Sequence, residues 1–570
     1  MATYVSWKSL TGAETSEEEL QAALTTLSKT ELIRACSQVN TLLRTWEGNI
    51  DLDVHAQLLR ILFTPTYADE LDRRARNSQK AEFVFHRQQL LYLTLKGAIH
   101  CAETAEGAGP GFQRTFAECC LKANDLLDYG LQEDVGEDRI LNLMAGLMPA
   151  SEYSAGRGYL RKVARTRVFL DDILQSPRIR DLPEYMDVPE LFGRVVGISA
   201  REYTTLIIGT LAKYLALKPA EVERDADRFL VRQASFSALQ MPAEKIALFL
   251  KDVSTDASNL GASAARISGK NDFTVLRDRP LLHIGQNGYF PMDIGFLADK
   301  LENGLFWRVH NEALSRKDER DQLHALWGML FDEYVTRLFS GVCKEPANRF
   351  LSHPCFQNEG EACDGIILCG GSTAVIMEYK GSTLTASAKY SGSSELLSEQ
   401  LEMKFVGTEE RPKGVRQLAR VINKLGDKRN PQKVEGLERV ATVYPVLVAR
   451  DDGLGAPFVN RFLGRRFATL YDRKQIRPKV TPLFVLTIDE LEEISAYLTD
   501  VPMDEILESK YKADQSQLLP FSAIQNDRLA EVPLRQNESL VKRFEDVINE
   551  ACLDLFGRPF ERPDGGERSP

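Results

Sequence analysis

The chain has 570 residues, 43% hydrophobic and 27% charged, with a formal net charge of −11. That length exceeds one ordinary domain and fits two to four, each with its own core. The balance is that of a globular chain, and no apolar run approaches the roughly 20 residues a membrane helix needs. The opening stretch, MATYVSWKSLTGAETSEEEL, lacks the basic-then-apolar pattern of a signal peptide. Nine scattered cysteines lack the spacing of a disulfide framework. Reduced thiols in a cytoplasmic protein are therefore expected. His353, Cys355, Cys363 and Cys369 form the only suggestive group; without a CxxC pair they read as buried or idle side chains rather than a zinc site.

Charge is unevenly spread. Between Arg411 and Val480 there are 17 Lys and Arg against 6 Asp and Glu, a balance of +11 that leaves −22 elsewhere. A basic segment on an acidic chain is the footprint of a phosphate-binding surface, with a solvated charged face as the plainer reading.

Residues 1–270 read as all-α, a recognition, regulatory or oligomerisation region. Ser16-x-x-Glu19, Ser28-x-x-Glu31 and Ser199-x-x-Glu202 are capping-box signals ahead of apolar residues at helical spacing. Pro189 to Ile207, with a cap at Ser199, resembles a helix-turn-helix, although short helical hairpins look the same. Arg157, Arg161, Lys162, Arg165 and Arg167, interleaved with Tyr159 and Phe169, read as a solvated helix face that could touch phosphates.

Residues 271–312 read as a small β-rich connector, with strands at Phe273–Leu276 and Leu281–Ile284 and an Asn287-Gly288 turn. A helix follows from about Arg320 to Phe339, its stripe made by Leu323, Leu326, Trp327, Leu330, Phe331, Tyr334 and Leu338. Residues 364–380 then read as a hairpin, and Gly381–Ser394 as a mobile polar loop. A short helix is expected over 395–404 and a longer one from Lys413 to Leu425. Strands at Val443–Ala449 and Pro482–Thr487 flank a basic loop carrying Arg461, Arg465, Arg466, Arg473, Lys474, Arg477 and Lys479, and a helix starts at Asp489. Residues 313–497 thus form an α/β module with a mixed central sheet. Residues 498–570 are an extension with a helix over Ser539–Phe556 and a disordered tail.

The hairpin carries the chemistry. Asp364 opens its first strand, and Glu378 and Lys380 close the second on one face, with Tyr379 on the other. Glu402-Met403-Lys404, Glu508-Ser509-Lys510 and Asp472-Arg473-Lys474 repeat the triplet, but none ends a β-like run that follows a second acid. Mg²⁺ takes hard oxygen ligands, usually one or two carboxylates, and Asp364, Glu378 and the Tyr379 carbonyl could supply them. Lys380 would position or help deprotonate a water and add positive charge.

These residues resemble the PD-(D/E)XK nuclease superfamily, with its restriction-endonuclease-like fold. The resemblance covers about Arg320 to Tyr497 and rests on Asp364, Glu378 and Lys380, supported by Glu333 within GMLFDEYV and by Gln417 in the helix after the lysine strand. Cys363 stands where the pattern has proline. It implies a nuclease using Mg²⁺ or Mn²⁺, with Glu333 holding a metal-bound water or a second ion. Lys413, Arg416, Gln417, Arg420, Lys424, Arg465 and Arg466 are the expected nucleic-acid contacts. DNA is the expected substrate and RNA the alternative, with a homo-oligomer through the helical half and a role in bacterial defence or restriction as analogies. The rival reading is a nucleic-acid-binding or scaffolding protein with an inactive nuclease-like fold.

Overall fold

A computed structural model describes the chain except residues 1–2, 45–49, 78–79, 104–109, 128–136, 155–157, 237–238, 268, 286–287, 358, 427–432, 472–477, 513–517, 524–528, 530–531, 534 and 560–570. Arg157, Asn287, Arg473, Lys474, Arg477 and the expected disordered tail from Phe560 onward lie outside the described residues. Among the described residues, the amino-terminal half is mainly helical, with four short strands: β1 (Thr3–Tyr4), β2 (Glu82–Phe83), β3 (Val231–Arg232) and β4 (Ser254–Asp256). β1 and β2 pair with each other. β3 and β4 flank a hairpin of β5 (Leu281–Ile284) and β6 (Gly288–Pro291) in the order β3-β6-β5-β4. The connector's sheet therefore draws two strands from the helical half.

The carboxy-terminal part holds a six-stranded mixed sheet. β7 (Asn348–Ser352), β8 (Gly365–Cys369) and β9 (Thr373–Lys380) run antiparallel in turn; β10 (Thr442–Ala449) lies parallel to β9, and β11 (Lys479–Val480) and β12 (Phe484–Thr487) both pair parallel with β10. Gly370 and Gly371, at φ of 57° and 79°, turn the β8–β9 hairpin in the left-handed region where a Cβ is disfavoured. Ten helices matter below: α1 (Tyr159–Arg167), α2 (Val188–Val196), α3 (Ala200–Leu215), α4 (Lys317–Val342), α5 (Ala386–Tyr390), α6 (Ser394–Leu401), α7 (Gly414–Gly426), α8 (Val459–Thr469), α9 (Ile488–Ser495) and α10 (Glu538–Phe556). Among the described residues, no helix is long and apolar enough to cross a membrane.

Alternation along the strands sorts the sheet into two faces. Val375, Met377 and Tyr379 of β9 join the larger core with Leu326, Leu330 and Tyr334 of α4 and Leu491 of α9. Ala374 and Ile376 join a second core with Leu397 of α6, Val415 and Leu418 of α7 and Leu463 of α8. The larger core runs on into the amino-terminal helices from Val5, while Met144 and Met148 of that half enter the second.

Several expectations need correction. Thr274–Asp278 is a helix, not a strand, because Asp272 Oδ1 accepts from the Thr274 amide and hydroxyl and starts a turn that buries Leu276. Residues 381–394 are not a free loop: Asp451 accepts from the Leu384 amide, and α5 buries Lys389 against Glu152 and Asp451. The basic loop is in part α8, which carries Arg461, Arg465 and Arg466. β7, unmarked in sequence, adds the edge strand.

The helix-turn-helix reading also fails as a DNA reader. α2 and α3 form, and Ser199 and Glu202 exchange the expected capping bonds at 3.2 and 3.0 Å. Yet α3 buries Tyr203, Thr204, Leu206, Ile207, Leu211 and Tyr214, so its first turns face the core rather than a groove.

Arg161, Lys162, Arg165 and Arg167, the described members of the basic cluster, are engaged in ion pairs rather than lying on a solvated face. Arg165 of α1 is 2% exposed and donates to Glu302 at 2.8 Å, Asp489 at 2.9 Å and Glu492 at 2.7 Å. Lys162 pairs with Asp299, Arg161 with Glu493, and Arg167 with Glu550 of α10. Removing one partner of a buried ion pair strands the other charge, so Arg165→Ala should destabilise the fold by about 3–5 kcal/mol. Urea unfolding reads this, against less than about 1 kcal/mol for Arg194→Ala, whose pair with Glu190 is exposed on both sides.

Candidate functional site

The site lies where β8 begins and β9 ends. Antiparallel pairing sets Gly365 opposite Met377, which carries Asp364 to the level of the last residues of β9. There Asp364 Oδ2 accepts the amide proton of Tyr379, so the acid is fixed to the strand bearing the rest of the triplet. Glu378 and Lys380 leave the α7 face together, Lys380 Nζ 2.9 Å from Glu378 Oε1. Lys380 packs beside Gly414 at the start of α7, where an added Cβ would lie 3.4 Å from its Cε. Gln417, one turn on, has its side-chain oxygen buried without a hydrogen-bond partner.

α4 contributes a different acid from the one expected. Glu333 is held by Arg178 at 2.6 Å and by Arg337 at 2.8 Å. Its neighbour Asp332 points instead into the cluster, where its carboxylate, that of Asp364 and a ring nitrogen of His353 lie within 4.8 Å of one another. His353 follows β7; its Nδ1 is 2.9 Å from Glu361 Oε1 and its Nε2 3.2 Å from Asp332 Oδ2. Of the cysteines grouped with it in sequence, Cys355 donates to the His353 carbonyl at 3.7 Å, while Cys363 turns to the Gly365 carbonyl and Cys369 to Asn348. Asp332, His353 and Glu361 are thus the residues that sequence reasoning did not assign to the cluster. The signal was present in the acid beside Glu333 and in a histidine eleven residues before Asp364, but sequence spacing alone does not bring them together.

The other triplets differ in kind. Lys404 follows α6 on a helical turn and bonds the Thr383 carbonyl, and Glu508 to Lys510 lie in the helix Met503–Lys512. On a helix, residues two apart do not share a face, so these acids and lysines do not converge as Glu378 and Lys380 do. Asp472-Arg473-Lys474 lies outside the described residues.

Electrostatically, the centre is short of positive charge. Burial, reinforced by the Asp364 charge and opposed by Lys380, pushes the Glu378 carboxyl up to about 7. Burial raises Asp364 too, against the pull of Lys380, and lifts Asp332 to about 6. His353 is raised although burial works against its charge, because the bond to Glu361 and the charge of Asp332 outweigh it.

The basic residues lie around α7 and α8. Lys413, Arg420, Arg465 and Arg466 are exposed, while Arg416 and Lys424 are half-buried. Arg416 and Arg420 line a cavity of about 500 Å³ with Glu409, Glu410 and Asn423. Arg420 bonds the Glu409 carbonyl, Lys424 pairs with Glu359, and Arg466 pairs with Glu402.

A scan against family models and searches of curated proteins and of solved structures each return no match. The site therefore stands on its own geometry.

A carboxyl whose folded pKa exceeds its unfolded value holds an extra proton in the folded state, so stability falls as pH rises between the two. For Glu378 that window runs from 4.5 to about 7. In EDTA, Glu378→Gln should therefore gain urea resistance relative to the unsubstituted chain on going from pH 5 to pH 8.

Proposed function

We propose that the chain is a divalent-metal-dependent nuclease that hydrolyses phosphodiester bonds, with DNA as its substrate. The observation that carries this reading is the convergence of Asp364, Glu378 and Lys380 at adjacent strand ends, with a helix of basic residues packed against the same face. It fits a PD-(D/E)XK centre, and Asp364 and Glu378 with the Tyr379 carbonyl form an oxygen-rich donor set of the kind Mg²⁺ or Mn²⁺ takes. The raised carboxyls of Asp364 and Glu378 support the same reading, since crowded acids with few cationic partners are relieved by a bound cation.

An ion bound there would act as a Lewis acid toward the scissile phosphate. Lys380, held by Glu378, would keep a positive charge beside the reacting phosphate and orient the attacking water by hydrogen bonding. Lys413, Arg416, Arg420, Lys424, Arg465 and Arg466 would hold backbone phosphates and set register without reading bases. Gln417, its oxygen unpartnered, would donate to or accept from the substrate near Lys380. Glu333, engaged by two arginines, is given a positioning role in α4 rather than a place at the phosphate.

The test is cleavage of supercoiled plasmid and of RNA in Mg²⁺ or Mn²⁺. Asp364→Ala and Lys380→Ala should each lower the rate by at least about 100-fold, with a cooperative urea transition showing that each variant folds. Equal cleavage by all three proteins sinks the reading, and binding without cleavage leaves a nucleic-acid-binding protein. RNA cut in preference to plasmid reassigns the substrate. In filter binding, Arg416→Ala, Arg420→Ala and Lys424→Ala should each reduce the slope of log affinity against log salt by about 1, uniformly across DNA sequences.

A further inference from the structure

We propose that Asp332, His353 and Asp364 form a second divalent-metal site on the α4 side of the strand end, suited to a nitrogen-accepting transition ion such as Mn²⁺ rather than to Mg²⁺. It shares Asp364 with the nuclease reading and does not depend on it. The three donor atoms lie within 4.8 Å of one another. The imidazole is oriented as a ligand: Nδ1 is held 2.9 Å from Glu361 Oε1, so Nε2 is the nitrogen whose lone pair an ion would take on displacing its proton. A carboxylate on the outer nitrogen is the usual support of a metal-binding histidine, fixing both tautomer and ring direction. Nε2 is buried 3.2 Å from Asp332 Oδ2 but makes no hydrogen bond, and Asp332 Oδ1 is likewise buried without a partner.

A separate side chain points to the same spot. Tyr379 is 5% exposed, and its hydroxyl has no hydrogen-bond partner. It leaves β9 on the α4 face, away from Glu378 and Lys380, and its hydroxyl reaches so near Gly365, the residue after Asp364, that a Cβ there would collide with it. The carboxylates it feels are those of Asp364 and Asp332. A buried polar group without a partner is uncommon in a folded chain, and a hydrated ion beside Asp364 would satisfy it.

The donor chemistry selects the ion. Mg²⁺ prefers carboxylates, carbonyls and water, whereas an imidazole among carboxylates favours first-row transition ions. His353 sits at φ +46°, with its amide donating to the Asp364 carbonyl at 3.0 Å, so two of the ligands are joined through the backbone. Asparagine tolerates that backbone conformation and is the substitution to use at 353.

The full chain, stripped with EDTA, is titrated with MnCl₂ by electron paramagnetic resonance and with MgCl₂ by calorimetry. His353→Asn and Asp332→Asn should each weaken one Mn²⁺ site by at least about 10-fold, and Glu361→Gln by about 10-fold, the size expected of a ligand's support. Mg²⁺ affinity should change by less than about 2-fold in His353→Asn, since oxygen ligands dominate its binding. Glu333→Gln, beside Asp332 but turned to Arg178, should leave Mn²⁺ binding unchanged. Thermal melting in EDTA checks that each variant folds; if His353→Asn does not, Asp332→Asn decides. Unchanged Mn²⁺ affinity in the folded variants would leave His353 as an ion-paired side chain only and overturn the proposal. Loss of Mn²⁺ binding in a chain that cuts no nucleic acid would uphold this site while sinking the nuclease reading, and cleavage with unchanged Mn²⁺ binding would do the reverse.

Discussion

One buried guanidinium governs how the two halves of the chain meet. Arg165 carries its charge into the protein and can remain charged there only while Glu302, Asp489 and Glu492 face it. Burying an ion costs several kcal/mol of hydration, and only close, well-directed partners offset it. Two of those partners lie on α9, and Glu492 also accepts from Tyr334 of α4. The geometry of α1 against α4 and α9 is therefore set by charge, within a core that is otherwise apolar and tolerant of small shifts. Similar pairs repeat the device nearby: Lys162 with Asp299, and Lys389 with Glu152 and Asp451.

From there the constraint reaches the strand ends in few steps. Arg450 stacks over Phe306 and Trp327, the latter on α4, and its amide donates to the Lys380 carbonyl at 3.0 Å. Asp451, the next residue, holds Leu384 just beyond β9. The end of β9 is thus fastened on both sides of the sheet: by α7 packing over Gly414, and by a polar network rooted in the amino-terminal half. This rigidity suits a centre whose acids repel one another, because a loose strand end would relax by moving them apart.

The sequence makes legible whatever depends on local period. The hairpin at Gly370-Gly371, the stripe on α4, the two-faced α7 and the strands β10 and β12 all follow from alternation, helical spacing and turn residues. What stays hidden depends on partners far along the chain. Arg161, Lys162 and Arg165 look solvated because their acids lie more than a hundred residues away. Ser199 signals the start of α3 correctly and says nothing about which way the helix faces. Asp332 and Glu333 are adjacent acids on one helix, about 100° apart in direction; Arg178 and Arg337 capture the second, and only tertiary structure decides between them. β7 is a short edge strand of mixed polarity, NRFLS, with little in its composition to mark it.

The arrangement of β9 has a consequence for how this segment can change. Val375, Met377 and Tyr379 serve one core, while Ala374 and Ile376 serve the other and Glu378 and Lys380 follow their direction. Side chains can be exchanged position by position under that rule, but chain length cannot. A single inserted or deleted residue would turn Glu378 and Lys380 into the apolar layer beside Leu330 and carry Tyr379 out toward α7. Along this strand the tolerated differences between variants should be replacements, with indels displaced to the turn at Gly370-Gly371, where they leave the inward and outward sets intact.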